Sequence, residues 1–149
     1  MKVVYVAGPF TAPNAWEREQ NIRRAEAVAH ELMASHFDVA VICVHTMARF
    51  SYGFIDEEVA MQADLELIRR SDCLVLVEGW QRSKGTQREI REAWRYRKPV
   101  YRSAKDFFAD VSVDLVLDLE AEFNKPKDES DFCRALWKKV LDETKKDGS

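Results

Sequence analysis

Four short apolar runs, set apart by stretches of helical periodicity, constrain this chain more than any other feature. They read "KVVYVA", "FDVAVICV", "CLVLV" and "KPVYR". They are rich in β-branched residues and lack strict polar alternation, which predicts strands buried on both faces. Three helical patterns lie between them. Residues 14–35 carry Ile22, Ala25, Val28, Ala29 and Leu32 at helical spacing, with charge on the opposite side. Residues 56–70 place Val59, Ala63 and Leu67, with either Ala60 or Ile68, on a buried stripe. Residues 86–97 do so with Ile90, Ala93 and Trp94. Alternation of this kind predicts an α/β fold: a single-domain, doubly wound, mainly parallel sheet of flavodoxin or Rossmann-like type.

Sheets of this kind bind ligands beyond the carboxyl ends of their strands. Those ends carry "AGPF", "CVHT" and "EGWQRSKGT", the loops richest in glycine, proline and polar residues. The α/β core is expected over residues 1–103 and a C-terminal extension over 104–149. Within the extension, "SVDLVLDL" reads as a fifth strand or a short helix. "DFCRALWKKVLDETKK" reads as an amphipathic helix carrying Phe132, Leu136 and Val140, packed on the core or at a subunit interface.

With 46% hydrophobic and 33% charged residues the chain reads as globular, not disordered. A formal net charge of −3 argues against stable nucleic-acid binding. No run approaches membrane-spanning length, and the N-terminus lacks a cleavage pattern, so a cytoplasmic protein is expected. Cys43, Cys73 and Cys133 are scattered and odd in number, and they read as reduced, buried thiols. No histidine pairs with a cysteine at ligand spacing, so no metal site is expected.

The chemistry-bearing candidates each have a structural reading beside a functional one. Thr86 and Glu89 form T-x-x-E ahead of an apolar helical pattern, the signature of a capping box. Yet Glu89 also follows a strand-end loop, where Ser83 and Gly85 suit close approach of a phosphate or sugar. Asp64 lies midway along the second helical pattern, either at the core edge or on the surface with Arg69 as its partner. Tyr5 is either a core aromatic or a hydroxyl emerging near the strand end to position a carboxylate. His45 lies past the second strand and reads either as a plain loop histidine or as a ligand contact.

Taken together, "VYVAGPF", "ADLELIRRSDCLVLV" and "SKGTQREIREAWRYRKPV" resemble the nucleoside 2-deoxyribosyltransferase superfamily. It includes the nucleoside 5′-monophosphate N-glycosidases and uncharacterised phage and bacterial proteins. The resemblance covers Lys2 to Tyr101 and implies cleavage of the N-glycosidic bond of a nucleoside or nucleoside 5′-monophosphate, with hydrolysis or base exchange. Glu89 would be the nucleophile, Asp64 its companion carboxylate, and Tyr5 the residue that orients Glu89. Gly8, Pro9, Phe10, His45, Ser83 and Gly85 would contact substrate. Ser83 would tolerate a 5′-phosphate that an aspartate there would repel. No cofactor is implied, and the assembly would be a homo-oligomer, a dimer or a dimer of dimers. Arg91 departs from the glycine common two residues after the glutamate. The alternative is a non-catalytic nucleotide-binding or sensing module on the same fold.

Overall fold

The computed structural model of the chain describes residues 1–35 and 37–112. Four parallel strands form one sheet: β1 (Lys2–Ala7), β2 (Val39–Ile42), β3 (Cys73–Leu76) and β4 (Val100–Tyr101), in the order β2-β1-β3-β4. The helices are α1 (Ala15–Ala34), α2 (Val44–Ala48), α3 (Glu57–Arg70), α4 (Lys84–Arg95) and α5 (Ala104–Phe108). This is the doubly wound α/β fold that the alternation predicts. The chain leaves β1 for β2 on one side and returns past β1 to β3 on the other. A crevice therefore opens beyond the ends of β1 and β3, the switch point where such sheets hold ligands.

The pleat of β1 decides which residues meet which helices. Val4 and Val6, with Cys73 and Val75 of β3, join Ala25, Ala29, Leu32, Ala104 and Phe107 in one buried cluster under α1 and α5. Tyr5 points to the other face, where α3 and α4 pack on each other and on the sheet. Ala104 and Phe107 belong to this core although they lie past residue 103. The expected fifth element, the amphipathic C-terminal helix and Cys133 lie outside the described residues. Cys73 is buried and Cys43 half-buried, both as free thiols.

Local differences from the sequence reading have physical causes. β2 is shorter than "FDVAVICV", because Val44 already begins α2. The buried stripe of α3 is rotated: Leu65 and Ile68 are buried and Asp64 half-buried, whereas Val59 is 62% exposed. A stripe chosen for apolar residues alone passes over Asp64, which the true stripe includes. On α4, Glu92 takes a buried place and Trp94 is 39% exposed, because Arg69 Nε reaches Glu92 Oε1 at 2.6 Å. Trp80 is 7% exposed and lies in the short 3₁₀ turn before α4. The end of α4 is closed by Lys98 N–H to Ala93 O (2.8 Å) and Arg97 N–H to Trp94 O (2.9 Å). Arg97 itself sits at φ 54°, the left-handed position usually given to glycine.

Candidate active site

The helix that carries Glu89 begins two residues before the expected start, and this changes what Glu89 does. The N-cap is Ser83, whose Oγ accepts the Thr86 N–H at 3.1 Å. Thr86 is thus the third helical residue and Glu89 lies in the second turn, too far along to cap. The capping box expected of Thr86 and Glu89 does not form. Glu89 instead receives the Tyr5 hydroxyl on Oε1 at 2.6 Å, across the gap from β1 to α4. Glu89 is 4% exposed and Tyr5 fully buried.

A cavity of about 560 Å³ opens beside this pair, at the carboxyl end of the sheet. That volume suits a small organic ligand. Glu89 and Asp64 line it from α4 and α3, His45 from α2, and Gly8 and Phe10 from the loop after β1. Ser83 and Gly85 line it at the start of α4. Of the residues expected at the site, Tyr5 stands behind Glu89 and Pro9 contributes its carbonyl to His45. Arg69, the cation that Asp64 would take as a surface residue, is engaged by Glu66 and Glu92 instead.

Burial sets the electrostatics. It pushes the Glu89 carboxyl up to about 8; the Asp64 charge adds to this and the Tyr5 hydrogen bond opposes it. Burial also lifts Asp64 to about 6. Tyr5 is held well above its ordinary value by burial and by Glu89. Two carboxyls that feel each other, both raised, share a proton over the neutral range. Burial lowers the His45 pKa, and hydrogen bonds to Pro9 and Gly8 only partly oppose it. Its Nε2 lies 3.1 Å from Gly8 O and 3.0 Å from Pro9 O. Both are acceptors, so Nε2 carries the proton and Nδ1 presents a lone pair.

Gly8 has a role beyond lining the cavity. A Cβ placed on it would stand 2.6 Å from Val77 Cβ, so only glycine lets this loop lie against the end of β3. The sequence reading missed the rim. Arg88 Nη1 and Nη2 donate to the two oxygens of Glu58 at 2.7 and 2.8 Å, tying α4 to α3. The Arg88 bonds hold Glu58 down at about 2. The signal for this pair was a basic residue beside Glu89 and an acidic first turn on α3, neither distinctive in sequence. Among the described residues no group of three or more His, Cys, Asp or Glu side chains is placed to hold a metal ion. Nor is any described helix long and apolar enough to cross a membrane.

Residues 2–102 match the family described as "Domain of unknown function (DUF4406)". The chain belongs to that family. A comparison with curated proteins finds no match. The DUF4406 span runs from β1 through β4 and holds Tyr5, Asp64 and Glu89 together with every residue lining the cavity. The family description names no activity.

Proposed function

We propose that this DUF4406 protein cleaves the N-glycosidic bond of a nucleoside or nucleoside 5′-monophosphate, with Glu89 as nucleophile. The observation that carries this reading is the Tyr5–Glu89 hydrogen bond at the wall of a cavity that Asp64 also lines. Tyr5 engages Oε1 and leaves Oε2 to face the anomeric carbon. Attack forms an Oε2–C1′ bond as the C1′–N bond breaks, and the electron pair leaves on the base nitrogen. Asp64 donates a proton to that base. Water, or a second base, then attacks C1′, returns a proton to Asp64 and releases Glu89. This divides two carboxyls between nucleophile and acid–base, as retaining glycosidases do.

Ser83 caps α4 through the lone pair on Oγ, so its O–H is left to donate to a 5′-phosphate at the helix N-terminus. Lys84 adds positive charge to the same wall, whereas the charge of Arg88 is matched by Glu58. A homo-oligomeric assembly, as the family resemblance implies, belongs to the same proposal.

The test is release of free base, followed by chromatography, over a panel of nucleosides and their 5′-monophosphates. Base release is expected, with monophosphates preferred and raised KM for them in Ser83→Asp. The dyad must hold its one proton on Asp64 and not on Glu89, the minor of the two one-proton forms; its population still peaks between the two values, so kcat/KM should rise near pH 6 and fall near pH 8. A nucleotide that binds but is never cleaved would return the chain to the binding-module reading.

A further inference from the structure

Two buried side-chain atoms lack a hydrogen-bond partner among the described residues: His45 Nδ1 and Thr86 Oγ1. Both residues line the cavity that holds Glu89. Buried polar atoms are nearly always bonded, and each exception asks for a reason. Two exceptions on the wall of one cavity point to an occupant that satisfies them. His45 was already a candidate from its loop. Thr86 was read as a helix cap, and Ser83 has taken that role.

Thr86 is 1% exposed. A threonine within a helix can spend its hydroxyl on the carbonyl three or four residues back. Here Ser83 O takes the Gln87 N–H at 3.0 Å, and Thr86 Oγ1 bonds no carbonyl. Its backbone N–H is satisfied by Ser83 Oγ, so the hydroxyl alone is left over. Ser83, Thr86 and Glu89 recur every three residues and so lie along one face of α4. Successive members are separated by about 4.5 Å of helix rise. This face runs from a phosphate-tolerant N-terminus to a carboxylate.

We propose that Thr86 is a specificity-determining contact whose hydroxyl bonds the 3′-hydroxyl of the pentose. The inference rests on the glycosidic reading. If Glu89 attacks C1′ from the ring face opposite the base, that face also carries the 3′-hydroxyl. With the 5′-phosphate at Ser83 and C1′ at Glu89, the 3′-hydroxyl falls to the residue between them. The contact satisfies Thr86 Oγ1 only when substrate is bound.

The test compares Thr86→Val, which keeps the shape and removes the hydroxyl, with Thr86→Ser, which keeps the hydroxyl. Each full-length variant is assayed on the 2′-deoxynucleoside 5′-monophosphate that wild type cleaves fastest and on its 2′,3′-dideoxy counterpart. Thr86→Val should raise KM about 5- to 10-fold on the first substrate, the usual weight of one neutral hydrogen bond. It should change KM less than about twofold on the second, where the partner is already gone. Thr86→Ser should track wild type on both. Without ligand, Thr86→Val should melt at or about 3 °C above wild type, because an unsatisfied buried hydroxyl has been removed.

Equal penalties on the two substrates overturn the assignment, as does a ligand-free Thr86→Val that melts well below wild type. The latter would mean that the hydroxyl already has a structural partner. Should Thr86→Val not fold, Thr86→Ala carries the same substrate comparison. Wild type that releases no base from any nucleoside or 5′-monophosphate of the panel overturns the glycosidic reading, and this inference with it. Release with equal penalties overturns Thr86 alone.

Discussion

Glu89→Gln is expected to lower turnover by roughly four orders of magnitude, between the losses typical of an acid–base group and of a nucleophile. The same variant should be more stable than wild type above pH 8. The amide keeps the shape of the carboxylate, and its oxygen can still accept the Tyr5 hydroxyl. It cannot form the ester to C1′. The stability gain follows from burial. The carboxyl titrates near 8 in the folded protein against 4.5 for an ordinary glutamate. A raised folded value means that its contribution is fully present below about pH 4.5 and lost as pH rises through about 8. The difference amounts to a cost on the order of 5 kcal/mol at most above pH 8. Wild type should therefore melt progressively lower from pH 5 to pH 8.5, and Glu89→Gln should flatten that dependence. Glu89→Ala is the contrast: it removes the charge but leaves the Tyr5 hydroxyl unpartnered, at about 1–3 kcal/mol. Wild-type turnover in Glu89→Gln would remove Glu89 from the chemistry, and melting curves of equal pH dependence would mean that burial does not raise its carboxyl.

That buried carboxyls work against the fold explains where the sequence was easy to read and where it was not. The strands were legible because β1 and β3 are buried on both faces and show it as unbroken apolar runs. The strand-end loops were legible because glycine and proline mark them. The α3 stripe was not, because periodicity weighs apolar residues and Asp64 is a carboxylate turned inward. Trp94 was misjudged for the same reason: Arg69 draws Glu92 inside, and the tryptophan is turned out. The start of α4 was ambiguous at the level of local signals. Ser83 and Thr86 are both good caps, and T-x-x-E is a stronger pattern than S-x-x-T. The Thr86 N–H bonded to Ser83 Oγ settles the matter in favour of Ser83, and Glu89 is engaged by Tyr5, a residue far away in sequence. The Glu58–Arg88 bridge has the same character: it needs two helices to meet, and no local pattern announces it.

Gly8→Ala should damage both the fold and the site, although it adds one methyl group. The added carbon would lie 2.6 Å from Val77 Cβ and 2.8 Å from Val77 Cγ2. Neither strand end can easily yield, since Val77 N–H donates to Ala7 O at 2.8 Å, one residue before the glycine. Overpacking of this kind costs about 1–3 kcal/mol. For a chain of this size the melting temperature should drop by about 4–10 °C. Relief by moving the loop would displace the Gly8 carbonyl that holds His45 and pull on the strand that carries Tyr5. A shift near 1 Å at a reacting group can lower turnover by about 10²-fold. A second substitution separates clash from general fragility. Val77→Ala keeps the Cβ that makes the closest approach, so Gly8→Ala/Val77→Ala should recover little. Val77→Gly removes it, so Gly8→Ala/Val77→Gly should return to the turnover of Val77→Gly alone. A Gly8→Ala protein that melts within about 1 °C of wild type and cleaves at the wild-type rate would mean that this contact does not position the site.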